Sequence, residues 1–96
     1  MVESEFQKNV RLELSHRLPG CIVLKNDANY IQGFPDLLVL YNNRWAALEC
    51  KRSINEHHQP NQDWYITKLN GMSYASFIFP ENREKVMNDL ERSLKT

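Results

Sequence analysis

The feature that most constrains the fold is a pair of apolar segments separated by two asparagines. The segments are Leu37–Tyr41 and residues 45–50, and Asn42-Asn43 lies between them. Asparagine tolerates the positive φ that a tight hairpin turn requires. Both segments are apolar on both faces, which is typical of strands at the centre of a sheet covered by helices. The pattern therefore predicts a buried β-hairpin.

The register of this hairpin brings charged residues together. Across a two-residue turn Tyr41 pairs with Arg44, and counting outward along both strands places Asp36 opposite Glu49. A four-residue loop gives the same pairs, whereas a three-residue loop does not. Lys51 projects from the same face as Glu49 because side chains alternate along a strand. Two carboxylates and an ammonium are thus expected at one end of an apolar hairpin.

Directly opposed carboxylates are unfavourable unless another group neutralises them. A divalent cation held by both would do so, and a small set of hard oxygen ligands suits Mg²⁺ or Mn²⁺. The alternative interpretation is a surface patch at the strand ends, in which Lys51 pairs with one of the two acids. The residue types alone leave both interpretations open.

The remainder of the chain predicts a single small α/β domain over residues 1–96, with a mixed sheet flanked by helices in the order α-β-β-β-α-β-α. A helix over residues 4–18, capped by Glu3 or Ser4, is expected from an apolar stripe with helical spacing. The other elements expected are strands at residues 21–24 and 74–79, a helix that Pro60 opens and Gly71 ends, and a last helix that begins at Pro80 and carries Val86, Leu90 and Leu94 in one stripe.

Composition excludes several classes of protein. With 42% hydrophobic and 25% charged residues, the 96-residue chain is unlike a disordered, collagen-like or membrane protein. No apolar run approaches the roughly 20 residues of a spanning helix, and the first residues do not resemble a secretory signal. Cys21 and Cys50 are expected to be free thiols in a reducing compartment. Twelve basic and twelve acidic residues give no net charge, so attraction to nucleic acid would have to be local.

Two short motifs resemble the split signature of PD-(D/E)XK nucleases: Gly33-Phe34-Pro35-Asp36 and Glu49-Cys50-Lys51. The chain is most similar to the compact VRR-NUC domain and to the Holliday-junction resolvases of that superfamily. The likeness extends over nearly the whole chain in the same order of elements. Further residues that fit the pattern are Glu3 four residues ahead of Gln7, Gln62 near the start of the second helix, Trp64 beyond it, and Gly71 before the fourth strand.

This resemblance implies a set of roles. Asp36, Glu49 and the backbone carbonyl of Cys50 would bind Mg²⁺, for which Mn²⁺ would substitute. Lys51 would orient the nucleophilic water or stabilise negative charge on phosphate. Gln62 would hydrogen-bond a metal-bound water or a substrate phosphate, unless it faces solvent. Glu3 would be an outer metal ligand, with Glu5 as the second choice and a plain helix-start acid as the alternative.

The resemblance also implies a Mg²⁺-dependent DNA endonuclease, structure-specific for branched DNA such as a Holliday junction. From their places in the chain, Arg52 next to the motif and Lys25 and Tyr30 beside the loop before Asp36 are expected to contact the DNA. The alternative for Tyr30 is that it packs on its own loop. His57 and His58 lack zinc-site spacing, and the alternative is that a loop histidine lies near phosphate. The expected location is the cytoplasm of a bacterial or phage-infected cell.

The expected working unit is a homodimer, whose apolar interface would come from the final helix around Met87 or from Trp64 and Tyr65. Two competing functions belong to other classes. One is a non-catalytic nucleic-acid-binding or assembly module that retains the nuclease fold. The other is a protein-interaction domain that uses the final amphipathic helix.

Overall fold

The computed structural model describes residues 2–27 and 29–96, and within them three helices and four strands follow one another as α-β-β-β-α-β-α. This confirms the predicted fold class and order. The elements are α1 (Glu3–Arg17), β1 (Ile22–Lys25), β2 (Leu37–Tyr41), β3 (Arg44–Cys50), α2 (Gln62–Met72), β4 (Tyr74–Ile78) and α3 (Arg83–Lys95).

The strands form one mixed sheet in the order β1-β2-β3-β4. The pairs β1–β2 and β2–β3 are antiparallel, and β3–β4 is parallel. The predicted hairpin is confirmed, with Tyr41 paired to Arg44 and β2 and β3 at the centre of the sheet. Asn42 adopts a φ of 55°, as the turn requires. The parallel β4 needs a crossover, and α2 supplies it.

The larger core lies on the face of the sheet that α1 and α3 cover. It contains the apolar stripes of both helices and alternate residues of β2 and β3: Phe6, Val10, Leu14, Leu18, Leu37, Val39, Ala46, Leu48, Cys50, Val86, Met87, Leu90 and Leu94. On the opposite face Ala47, Leu69 and Ala75 form a smaller cluster under α2. This arrangement leaves the charged end of the hairpin between the start of α1 and the start of α2.

The boundaries of α2 differ from the prediction. Pro60 does not open the helix; Asn61 adopts a left-handed φ of 75°, and the helix begins at Gln62. Gly71 does not end it either, because the helix continues to Met72 and the Ser73 N–H donates to the carbonyl of Leu69. The Ser73 hydroxyl also donates to the Trp45 carbonyl, which attaches the end of α2 to β3.

The ends of the other helices differ in detail. Neither Glu3 nor Ser4 caps α1, because the N-cap position is Val2 and no side chain caps it. The last helix begins at Arg83 rather than Pro80. There the Asn82 side chain accepts a hydrogen bond from the Phe79 N–H and donates one to the Phe77 carbonyl, which holds a turn before the helix.

Two predicted interface surfaces are affected by this packing. The apolar stripe of α3, with Met87, is buried in the chain's own core, so these side chains do not form an exposed interface surface. Trp64, the other interface candidate, is 60% exposed, and its ring packs edge-to-face with that of Tyr65. Cys21 and Cys50 are free, as predicted, and Cys50 lies in the core. Among the described helices, none has the length and apolarity to cross a membrane.

Gly33 brings two loops close together. Its φ is 87°, and a Cβ atom at this position would lie 2.8 Å from both the Asn61 Cβ and the Pro60 carbonyl oxygen. A side chain is therefore excluded by the backbone conformation and by the neighbouring loop. This close approach holds the segment before Asp36 against the segment before α2.

Candidate metal centre

Three carboxylates from three different elements converge at one end of the sheet. Glu3 comes from the first turn of α1, Asp36 immediately precedes β2, and Glu49 lies near the end of β3. Each offers an oxygen within 4.8 Å of the others. The Asp36–Glu49 pairing is the one that the hairpin register predicts. Glu3 rather than Glu5 completes the group, since Glu5 is exposed and outside it.

Asp36 is anchored by backbone groups of the neighbouring strand and loop. Its Oδ2 accepts a hydrogen bond of 2.8 Å from the Cys50 N–H. Its carbonyl accepts one of 2.7 Å from the N–H of Asn26. The Cys50 N–H thus donates to Asp36, and the Cys50 side chain packs in the core. Metal ligation by the Cys50 carbonyl stays a prediction.

Glu49 is buried, with only 3% of its surface exposed. Its Oε2 accepts a hydrogen bond of 3.1 Å from the Gln62 amide, but no described group donates to the buried Oε1. Burial, followed by the neighbouring charge of Asp36, raises the pKa of Glu49 to about 9. The surroundings therefore disfavour the charged form of this carboxyl group.

Lys51 is also buried, at 3% exposure. Its Nζ donates to Gln62 Oε1 at 2.7 Å and to the His57 carbonyl at 3.0 Å, and the nearest carboxylate oxygen, on Glu56, is 4.0 Å away. The interpretation in which Lys51 pairs with Asp36 or Glu49 is therefore wrong. Both hydrogen bonds of the ammonium go to neutral oxygens, and its ion pair with Glu56 is long.

Gln62 connects the lysine to the carboxylates. Its Oε1 accepts from Lys51 and from the Gln59 N–H at 2.8 Å, and its Nε2 donates to Glu49. The side chain is buried, so the alternative of a solvent-facing glutamine is wrong. Gln62 fixes the positions of both functional groups and keeps them from forming a direct ion pair.

The carboxylate group fits a hard divalent cation. Burial and the neighbouring charge of Asp36 raise the pKa of Glu3, which indicates that negative charge accumulates here. Three carboxylates from a rigid strand pair and a helix provide the oxygen ligands that Mg²⁺ and Mn²⁺ prefer. A cation among them would give the buried Glu49 Oε1 a partner, and its charge would favour the ionised form of this carboxyl group.

The predicted DNA-contacting residues lie around this centre without joining it. Arg52 is exposed and pairs with Glu56, with Nε 3.2 Å from Oε1. Lys25 and Tyr30 line a depression with Phe34, and Tyr30 is 84% exposed. No ligand tests these contacts, which stay predictions.

Two features of the site were missed by sequence reasoning. The His57 carbonyl binds Lys51, and His58 lies against β4 with its ring on Phe77. No spacing pattern in the sequence could have predicted these contacts, since residues 51–61 contain no strand or helix.

Comparison of the chain with family models, curated proteins and solved structures found no match. The family resemblance therefore stays a prediction.

Proposed function

We propose that this protein is a divalent-metal-dependent DNA endonuclease of the PD-(D/E)XK type. The observation that carries the proposal is the convergence of Glu3, Asp36 and Glu49 around an unpartnered, buried carboxylate oxygen, next to the buried ammonium of Lys51. The acidic group alone would be common. Its combination with a lysine held in place by Gln62 and the His57 carbonyl is what phosphodiester hydrolysis needs.

Each residue has a defined part in the proposed reaction. Asp36, Glu49 and Glu3 would hold the cation. A divalent ion bound there would supply a water of lowered pKa and positive charge against the phosphate oxygens. Lys51, fixed by Gln62 and His57, would add a charge-assisted hydrogen bond to an oxygen on which negative charge develops. Gln62 would act as a positioning residue.

The proposed substrate is DNA, with a preference for branched structures. Net charge is zero, so general attraction to a duplex would be weak, and binding would depend on shape and on local contacts. Arg52, Lys25 and the highly exposed Tyr30 would supply these contacts, since an exposed aromatic ring can stack on an unpaired base. Bases near a branch point are the ones most easily unpaired.

The test is a cleavage assay on plasmid, single-stranded and four-way-junction DNA, with Mg²⁺, with Mn²⁺ and with EDTA. We expect cleavage only with the metal, and none from Asp36→Asn. Two matched variants, Glu3→Gln and Glu5→Gln, test whether Glu3 is a metal ligand, because Glu5 is an exposed acid on the same helix that lies outside the carboxylate group. Glu3→Gln should weaken Mn²⁺ binding by about tenfold, in line with loss of one carboxylate contact, and Glu5→Gln should leave it unchanged.

DNA binding without cleavage, under all metal conditions and on all three substrates, would favour the non-catalytic binding module instead. Cleavage that persists in EDTA would contradict the metal centre.

We also propose that the enzyme works as a homodimer, with the surface around Trp64 as the remaining apolar candidate. Light scattering at micromolar concentration should give a dimeric mass, and Trp64→Glu should reduce it to a monomeric mass without loss of fold. A monomeric mass that persists with a junction bound, together with equal cutting of duplex and junction, would overturn both the dimer and the preference for branches.

A further inference from the structure

His58 has its ring fixed by two contacts on different elements. Its Nδ1 lies 2.8 Å from Oδ1 of Asp63 in α2. The carboxylate can only accept, so Nδ1 carries the hydrogen. One ring face stacks on Phe77 of β4, with centroids 4.1 Å apart and planes at 18°. Together these contacts define the plane of the imidazole and direct Nε2 away from Asp63.

The ring stands beside the proposed metal centre. Phe77 pairs with Glu49 between parallel strands, so the two side chains project from the same face of the sheet. The chain neighbours of His58 bind the site directly, because the His57 carbonyl accepts from Lys51 and the Gln59 N–H donates to Gln62. The His58 side chain is 34% exposed, and within residues 2–27 and 29–96 no hydrogen bond reaches Nε2.

We propose that His58 is the general acid that protonates the leaving oxygen during phosphodiester cleavage, an inference that rests on the proposed nuclease function. Water attacks phosphorus and forms a P–O bond, the bond to the leaving oxygen breaks, and its electron pair remains on that oxygen. Nε2–H of the imidazolium gives its proton to this oxygen, which yields an alcohol. The neutral imidazole regains a proton from solvent, and the proton of the attacking water leaves to solvent.

The observations favour this role over a purely structural one. An imidazole whose Nδ1–H is held by a carboxylate, and whose Nε2 has no hydrogen bond within the described residues, can donate a proton from Nε2. Asp63 accepts the Nδ1–H hydrogen bond and acts as a positioning residue. Lys51 is directed at neutral oxygens inside the site, so it is placed to stabilise charge rather than to reach an outer leaving group.

The test compares two oligonucleotide substrates that differ at the bridging atom of the cleaved bond. In one the leaving atom is oxygen, and in the other it is sulfur, whose thiolate leaves without protonation. The position of the sulfur is chosen after the product ends have been identified. Mg²⁺ is used because it has little affinity for sulfur ligands. The variants are His58→Gln, Asp63→Asn and, as the control, His16→Gln at an exposed position of α1.

We expect His58→Gln to lower the cleavage rate at oxygen by about 100-fold, which is typical of a lost general acid, and to leave the rate at sulfur within about threefold. Asp63→Asn should show the same pattern with a smaller loss, and His16→Gln should show none. Mn²⁺ binding and the circular dichroism of His58→Gln should match the wild type.

Equal losses on both substrates would overturn the general-acid role, as would an unchanged rate at oxygen. If His58→Gln fails to fold or to bind Mn²⁺, the same comparison of cleavage rates at oxygen and at sulfur is made with Asp63→Asn. A loss confined to the oxygen substrate then supports the general-acid role, and equal losses overturn it. Failure of the wild type to cleave either substrate would overturn the proposed nuclease function and this inference with it. Failure of the proton-donor role alone would leave the metal-dependent cleavage intact.

Discussion

The two ends of α1 take part in charge clusters of opposite character. Near its C-terminal end Glu13 lies between two guanidinium groups, 2.8 Å from Arg17 Nε and 2.6 Å from Arg83 Nε. Arg17 also reaches Glu91 of α3 at 3.2 Å. At the N-terminal end Glu3 meets Asp36 and Glu49, and no lysine or arginine lies within ion-pair distance of these three carboxylates in the described chain.

The difference separates a structural cluster from a functional one. The Glu13 cluster balances its own charges and links α1 to α3. The Glu3 cluster concentrates negative charge around the buried Glu49, and Gln62 lies between Glu49 and the nearby Lys51. Such an arrangement lowers stability unless a cation from outside completes it. We therefore expect the two clusters to respond oppositely when an acid is neutralised.

The largest effect is expected from neutralising an acid of the metal centre. Asp36→Asn or Glu49→Gln should lower DNA cleavage by at least about a thousandfold, because each removes a ligand of the ion on which the reaction depends. In EDTA both variants should melt at the same temperature as the wild type or higher, because the repulsion between the opposed carboxylates is relieved. Cleavage assays and circular dichroism melts measure the two effects.

Glu13→Gln is the matched control, since it neutralises an acid of the balanced cluster. It should retain cleavage. A variant of Asp36 or Glu49 that cleaves at nearly the wild-type rate would contradict the assignment of the centre.

Removal of the Lys51 ammonium should also lower the rate of DNA cleavage. Lys51→Ala should lower cleavage by about 100- to 1,000-fold, the usual range for loss of a donor to developing charge. It should still bind Mn²⁺, because an ammonium is a donor and cannot be a metal ligand. Calorimetric titration with Mn²⁺ measures the second property.

Lys51→Arg should restore little activity, because the planar guanidinium does not fit a position built for a compact ammonium between Gln62 and His57. Loss of Mn²⁺ binding in a well-folded Lys51→Ala would mean that the lysine organises the carboxylates instead.

These residues also show what the sequence could and could not predict. The Asp36–Glu49 pair followed from turn length and strand alternation, both of which are local rules. The preference for Glu3 over Glu5 agrees with the structure, but helical periodicity gives only the faces of α1 and not the point at which its first turn meets the sheet. The bond from the Cys50 N–H to Asp36 was equally out of reach, since every residue except proline carries the same donor.

The surroundings of Lys51 illustrate the same limit. Sequence spacing placed Gln62 near the start of a helix, but its bonds to both Lys51 and Glu49 depend on how the loop at residues 51–61 folds over the sheet. The apolar stripe of α3 was recognised correctly, yet whether it faces the core or a partner depends on packing that a single amphipathic pattern does not specify.

The pH dependence of stability should reveal the strain in the centre. The pKa of Glu49 is raised to about 9 in the folded, metal-free protein, compared with 4.5 in the unfolded chain. A group of this kind contributes stability that is fully present below about pH 4.5 and is lost as the pH rises through 9. Urea unfolding in EDTA should therefore show the wild type losing on the order of 3 kcal/mol, relative to Glu49→Gln, between pH 5 and pH 9.

The comparison with Glu49→Gln removes the contribution of other groups that titrate in this range. Saturating Mg²⁺ at pH 8 should recover most of the loss in the wild type, because binding to the folded state alone stabilises it, and should recover little in the variant. A wild type whose stability parallels that of Glu49→Gln at every pH would show that the carboxyl group is not strained.

The smallest effect is expected at the balanced cluster. Glu13→Gln should destabilise the fold by about 0.5–1 kcal/mol, because its ion pairs are partly exposed and such pairs contribute little. The loss should shrink in 1 M salt, where the screening length falls to about 3 Å. Urea unfolding at low and high salt measures both values. The two clusters should differ in the direction of the stability change: neutralising Glu13 should lower the free energy of unfolding, whereas neutralising Glu49 in EDTA should not. If Glu13→Gln stabilised the protein, the Glu13 cluster would itself carry an excess of negative charge, and the contrast between the two ends of α1 would fail.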